Sequence, residues 1–274
     1  TGHLVQGLCG LVRSQGGRIR LGADVAGILC EGRRVRGVAL ANGERIAAEV
    51  VVSNADSAWT YRHLLDGAVR RRWTDRRLDR TRSSMGLFVW YFGTRRRFDA
   101  VGHHTILLGA RYRGLLHDIF ERKVLAPDFS LYLHRPTATD PGMAPPGCDA
   151  FYVLSPVPNL ASGIDWQAQA EPFRQAVARR LSDTLLPGFE ADVVTSRVMT
   201  PQDFRDDLLA FRGSGFGMEP ILTQSAWFRP HNRSAEVAGL YLVGAGTHPG
   251  AGLPGVLSSA RVLDKVVPHA HAHA

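Results

Sequence analysis

No run of about 18 consecutive apolar residues occurs in this 274-residue chain, so a conventional membrane-spanning helix is excluded. Cysteine is nearly absent: Cys9, Cys30 and Cys148 lie far apart and form no C-x-x-C pair. That spacing excludes a disulfide framework and reads as small buried hydrophobes in a reducing, cytoplasmic setting. There is no G-x-S-x-G nucleophile turn, no P-loop and no internal repeat. The N-terminal residues lack both the basic and the long apolar block of a secretory leader, and position 1 is not methionine. The expectation is a chain that starts inside a longer protein.

What is present is ordinary globular material. Hydrophobic residues make up 45% and charged residues 21%, which excludes a disordered, collagen-like or coiled-coil chain and suffices for one large domain or two. The charge is one-sided: 33 Lys plus Arg stand against 25 Asp plus Glu, a net +8, and only Lys123 and Lys265 are lysine. Between Arg62 and Arg97, eleven arginines are met by only Asp66, Asp75 and Asp79, an excess as large as that of the whole chain. Three readings stay open for this window. It is a solvated basic surface, a patch drawn to anionic lipid headgroups at on the order of 1 kcal/mol per basic residue, or a nucleic-acid surface. The last needs interleaved aromatic or groove-reading elements, and Trp73 alone is interleaved, so no nucleic-acid partner is expected.

Periodicity sets out the elements. Leu4, Val5, Leu8, Leu11 and Val12 recur at helical spacing before Gly16-Gly17 and predict an amphipathic helix. Short apolar runs over 18–21, 24–29, 34–40 and 45–52, with an Asn42-Gly43 turn, predict a β-meander ending in Ser53-Asn54-Ala55-Asp56. Residues 57–82 read as helical. The run 84–93 (SMGLFVWYFG) is too short and too rich in β-formers for a helix and reads as a buried strand. Further strands are expected over 105–108, 129–134, 150–156 and 193–199. Ala168, Phe173, Val177, Leu181 and Leu185 predict a helix over 167–186, closed by Pro187-Gly188, and Pro201 opens another, short helix. His103-His104 has no Cys, His or acidic partner at zinc spacing, so no metal is expected. The tail with His269, His271 and His273 reads as a disordered terminus.

The most informative stretch is 239–260, GLYLVGAGTHPGAGLPGVLSSA: a strand, a glycine-dense loop and the start of a helix. Glycines let backbone approach a ligand closely. The free N–H groups at the helix start suit a phosphate or an anionic ring oxygen. The pattern is not G-x-G-x-x-G, because after Gly244 and Gly246 the third position is Pro249, and a glycine loop on its own serves tight packing equally well.

With its neighbours, this stretch resembles bacterial-type phytoene desaturases, the FAD-dependent carotenoid desaturases. YLVGAGTHPGAGLPGV (241–256) resembles their C-terminal motif, and GGRIRLGADV (16–25) with VVSNAD (51–56) resembles their flavin-domain strands. HHT (103–105), DFSLYLH (128–134), YVLSPVP (152–158) and PILTQSAWFRPHNR (220–233) resemble their middle section. Family members open with a strand–G-x-G-x-x-G–helix unit that holds the FAD adenosine and pyrophosphate. That unit is not in this sequence, so these residues by themselves are expected to be a C-terminal part, without flavin and without activity.

The resemblance implies an α/β flavoprotein with a discontinuous, Rossmann-like FAD-binding portion and an inserted α+β substrate domain built on a mixed sheet. Residues 1–57 and 223–274 would form the flavin portion, and 58–222 the substrate and membrane-facing domain. Val25 would contact the adenine end, Asn54 and Ala55 the phosphates, and Gly244, Gly246 and Thr247 the pyrophosphate and ribityl chain. Gly255 and Val256 would point N–H groups toward the isoalloxazine. His248 is the one candidate for a catalytic donor or base. Phe88, Trp90, Phe92 and Phe216 are candidates for the substrate channel. The reaction implied is desaturation of phytoene and its intermediates toward neurosporene or lycopene, by hydride transfer to flavin, with oxygen or a quinone as acceptor. Peripheral membrane attachment is implied as well, because an apolar polyene must leave a bilayer. Two rivals stand: a desaturase of a later hydroxylated or methoxylated carotenoid, and a non-catalytic membrane- or nucleic-acid-binding module using the arginine window.

Overall fold

The computed structural model describes residues 2–268, and the histidine tail 269–274 lies outside them. Helix α1 (Gly2–Ser14) leads into a three-stranded antiparallel meander of β1 (Val25–Glu31), β2 (Arg34–Leu40) and β3 (Arg45–Ala47), with Asn42-Gly43 in the β2–β3 turn. β4 (Val51–Ser53) pairs in parallel with β10 (Leu240–Leu242), so the two ends of the chain meet. Val35 and Ala238 reinforce the junction: the Val35 N–H donates to the Ala238 carbonyl at 2.9 Å.

The predicted continuous helix over 57–82 is corrected. It is broken into α2 (Ser57–Trp59) running on as a π-helical turn to Leu64, a 3-10 turn Gly67–Val69, and α3 (Asp75–Arg80). The cause is distant in sequence. The buried Glu236 carboxylate accepts the N–H groups of Arg71, Arg72 and Trp73 at 2.7, 2.8 and 2.6 Å. A continuous helix would have spent those donors on carbonyls four residues back.

The third and largest sheet contains β5 (Gly86–Thr94), β6 (His104–Leu107), β7 (Leu131–His134), β8 (Asp149–Val157) and β9 (Val193–Met199) in the order β6-β7-β8-β5-β9. The sheet expected to be mixed is antiparallel at every pairing. One face packs on α5 (Trp166–Ser182) and forms the larger core around Phe88, Trp90, Phe92, Leu133, Val177 and Leu181. Asp165 caps α5 through the N–H groups of Gln167 and Ala168. α6 (Pro201–Asp206), with the expected proline in its first turn, packs on β5 and β9, while Leu115 of the short helix α4 (Tyr112–His117) joins a small separate cluster with Ile119 and Ala126. A second core joins Ile28 and Val35 of the meander to Tyr61, Trp73, Leu78, Met218 and Leu240. The last helix is α7 (Leu253–Val266).

The three cysteines are unpaired. Among the described residues no helix is long and apolar enough to cross a membrane.

Candidate functional site

In a parallel strand pair, the loops leaving the carboxyl ends emerge on the same side and leave a crevice that ligands use. β4 and β10 place two loops this way: 53–56 runs into α2, and 243–252 runs into α7. The loops interlock. The Ser57 hydroxyl donates to the Gly246 carbonyl at 2.8 Å, and a Cβ on Gly246 would lie 2.8 Å from the Ser57 nitrogen. A Cβ on Gly244 would lie 2.5 Å from Asn54 Oδ1. Gly244 and Gly246 are thus glycine because the loops press on each other.

Buried polar side chains hold the frame. The Thr247 hydroxyl donates to the Pro230 carbonyl, and the Gly244 N–H donates to Ser259 Oγ at 2.9 Å. Asn232 Nδ2 reaches the carbonyls of Leu242 and His248 at 3.2 and 3.0 Å. The buried Arg229 guanidinium donates to the Ala245 carbonyl at 2.7 Å and the Met218 carbonyl at 2.9 Å, tying the glycine loop to the 216–220 segment. Burial lowers its pKa, and the Asp56 charge opposes that shift. Burial pushes the Asp56 carboxyl up, against the Trp59 and Ala58 N–H groups it accepts as the α2 cap and against the Arg229 charge.

Two openings flank this frame. One, of about 500 Å³, is lined by Met85, Phe120, Phe216, Met218, Pro249 and Gly250 among others and is mainly apolar. The other, of about 170 Å³, is lined by Asn54, Asp56, Phe204, Leu208, Gly217 and Gly246 among others. α7 begins at the rim: Gly252 stands before it at φ 94° with open space where a Cβ would be, and no side chain caps the helix. The Val256 N–H donates to the Gly252 carbonyl at 2.8 Å, which corrects its expected aim at a ligand, and Pro254 has no N–H; the Leu253 and Gly255 N–H groups and the positive dipole end of this uncapped helix remain. These residues fit an anionic group, such as one end of a dinucleotide.

The anticipated site residues fall into three groups. Asn54, Ala55, Gly244, Gly246, Thr247, Gly255 and Val256 gather around the two loops and the start of α7. Thr247 is fully buried with its hydroxyl spent on Pro230, so it frames the loop. Val25 starts β1, the outer strand of the meander, and is 39% exposed. His248 is exposed and lines a different opening, with Trp227 and His231.

The channel assignment is corrected for three of its four aromatics. Phe88, Trp90 and Phe92 are at most 3% exposed and pack in the core beneath α5, where no substrate reaches. Phe216, 39% exposed, lies at the apolar opening. Sequence reasoning did not find Arg229, Asn232 or Ser259. The signal available was that Arg229 and Asn232 fall in the family-like 220–233 stretch and Ser259 in the 239–260 stretch. The absence of a partner for His103-His104 is corrected too, since β6–β7 pairing sets His134 directly across from His104.

No protein-family profile matches the chain. It is 53% identical over 265 residues to the neurosporene-forming phytoene desaturase of Cereibacter sphaeroides, covering 95% of this chain and 51% of that protein. It is 47% identical over 268 residues to the lycopene-forming phytoene desaturase of a Paracoccus species, covering 97% and 54%. Among solved structures, an oxidoreductase from Methanosarcina mazei superposes with a TM-score of 0.63 at 19% identity, covering 95% of this chain and 53% of that one. A redesigned putrescine oxidase superposes with a TM-score of 0.59 at 12% identity, covering 93% and 51%. These two share the fold, an α/β arrangement of several sheets. The chain spans about half the length of the curated relatives it matches. With that identity running along nearly its entire length, the chain is similar to one half of these phytoene desaturases.

Proposed function

We propose that these residues supply the glycine-loop half of a flavin site and the apolar wall beside it in an FAD-dependent desaturase that converts phytoene toward neurosporene or lycopene. The observation that carries this reading is the position of the family-like 241–256 stretch. It sits at the carboxyl end of a parallel strand pair and runs into an uncapped helix beside an apolar opening of about 500 Å³.

The residues that would hold FAD are Asn54 and Ala55 on one loop, the 244–250 backbone on the other, and the N–H groups at the start of α7, with Val25 at the adenine end. When bound, FAD would supply the two-electron oxidant that takes a hydride from an allylic CH2–CH2 unit. The chain's own part is to bind, align and keep dry. Phe216, backed by the buried Met218, offers an apolar surface to a polyene that has no polar group to recognise. Arg229 holds Met218 and Ala245 in register, so the wall and the loop keep a fixed separation. His248, exposed in another opening, is the weaker part of the assignment as a proton donor or acceptor. The division into 1–57 and 223–274 as flavin portion and 58–222 as substrate portion belongs to the same proposal, and the pairing of β4 with β10 supports it.

Peripheral membrane contact is part of this reading. Arg70 is taken up by Asp75, Arg82 by Glu121 and Glu219, and Arg97 by Asp99, whereas Arg71, Arg72 and Arg76 are exposed and form no ion pair among the described residues. With Arg80, also exposed and in no ion pair among the described residues, and Arg77, exposed over the Trp73 ring, these are basic groups available to anionic headgroups.

The test is a chimera. The matching half of the Cereibacter sphaeroides relative is replaced by these residues and expressed in a bacterium that accumulates phytoene. Neurosporene or lycopene, with one FAD released per chain on denaturation, is the expected result. A folded chimera that carries FAD and leaves phytoene unchanged overturns the substrate. Acceptance of hydroxylated or methoxylated carotenoids instead moves the assignment to the later-step desaturases. A folded chimera without flavin overturns the cofactor site.

A further inference from the structure

Three histidines that sequence spacing keeps apart come together at one edge of the large sheet. β6 is the edge strand, and its antiparallel pairing with β7 sets His104 directly opposite His134. Directly opposite residues project from the same face of a sheet. His103, just before β6, folds its ring against both, with centroids 4.3 Å from His104 and 4.8 Å from His134. One donor nitrogen from each ring lies within 4.8 Å of the other two.

Two of the three rings have the surroundings of metal-ligating imidazoles, whose second ring nitrogen is held by an outer partner. His103 Nδ1 is held by the Thr139 hydroxyl, leaving Nε2 free to face the cluster. His104 Nδ1 is held by the Tyr132 hydroxyl at 2.6 Å, leaving its Nε2. His103 Nε2 and His134 Nε2 are hydrogen-bonded to each other at 2.8 Å, and an ion bound between them would replace the shared proton. His134 also faces the cluster with Nε2; its Nδ1 is buried and has no hydrogen-bond partner among the described residues, so His134 alone of the three lacks an outer partner.

We propose that His103, His104 and His134 bind one divalent late transition ion, of the zinc, cobalt, nickel or copper type. Three imidazoles with no carboxylate in the set suit these ions and not magnesium or calcium. In a tetrahedral site with bonds of about 2.0–2.1 Å, ligand nitrogens are about 3.4 Å apart. His103 and His134 need to open slightly. The exposed His104 closes the remaining gap by a shift of its ring that keeps Nδ1 on the Tyr132 hydroxyl. The ion ties the edge strand β6 to β7 and so adds to the stability of that edge by mass action.

The test uses the full chain carrying His269→Ala, His271→Ala and His273→Ala, so that the tail cannot chelate. Equilibrium dialysis against Co2+ at neutral pH, read by elemental analysis and visible d–d absorption, is expected to give one Co2+ per chain and a raised melting temperature. His104→Asn and His134→Asn are expected to abolish both signals, and Tyr132→Phe to weaken affinity about ten-fold. No stoichiometric Co2+ in the parent overturns the site, as does equal uptake in both histidine variants. Far-UV circular dichroism monitors folding. Should His134→Asn unfold, the exposed His104→Asn decides alone.

Discussion

Ser57 and Gly246 meet across 189 residues of chain: the serine hydroxyl donates to the glycine carbonyl at 2.8 Å. The contact locks the loop after β4 to the loop after β10. It leaves no room for a methyl group, because a Cβ at 246 would lie 2.7 Å from Ser57 Oγ and 2.8 Å from its backbone nitrogen. The serine side chain can swing away, but the backbone at the start of α2 cannot. Gly246→Ala is therefore expected to destabilise by roughly 1–3 kcal/mol through overpacking, measured by urea unfolding. Wild-type stability in this variant would mean that the two loops are not in contact in solution.

Tyr61 carries a pH dependence. It is buried in the smaller core, stacked on Trp73 with centroids 5.7 Å apart. Burial raises its pKa from 10.0 to about 12, partly offset by the hydrogen bond with Ser234. The unfolded chain ionises its tyrosine first, so folding is undisturbed below about pH 10 and loses stability as pH rises toward about 12. Melting temperatures across that window should fall more steeply for the wild type than for Tyr61→Phe. Parallel curves would place the alkaline loss elsewhere.

Phe88 and Phe216 separate core from wall. Phe88 is 0% exposed between the sheet and α5, and Phe88→Ala is expected to cost about 3–5 kcal/mol. Phe216 is 39% exposed at the apolar opening, so Phe216→Ala should change stability by less than about 1 kcal/mol. In the chimera it should lower carotenoid output while leaving bound FAD intact. Chemical denaturation and product analysis on the same pair of variants give the comparison, and unchanged output from Phe216→Ala removes that residue from the wall.

Arg71, Arg72 and Arg76 test the basic surface. Replacing all three with Gln removes exposed charges that form no ion pair among the described residues, and co-sedimentation with anionic liposomes should fall markedly at low salt. The Arg71 and Arg72 N–H groups still reach Glu236 in this variant, so the fold is expected to persist. Undiminished binding would assign membrane contact, if any, to another surface.

The local elements were largely legible because each depends on neighbours in sequence. The Asn42-Gly43 turn, the strand at 193–199 and the short helix opened by Pro201 all form as periodicity and turn chemistry predict. The break in 57–82 was not legible, because Glu236, more than 160 residues away, takes the N–H groups of Arg71 to Trp73. Arg229 escaped notice for the same reason: its partners, Met218 and Ala245, are carbonyls that any sequence would offer.

By itself the sequence determined the likeness to phytoene desaturases, through the 241–256 stretch and its companions, and the strand character of the aromatic run at 84–93. A period of two tells that Phe88, Trp90 and Phe92 share a face, but not whether that face meets α5 or a ligand. Tertiary packing decided that they are core and that Phe216 is at the opening. The same holds for His103, His104 and His134. Their meeting depends on the antiparallel register of β6 and β7, which long-range hydrogen bonds and the burial of one sheet face select, and which no local spacing encodes.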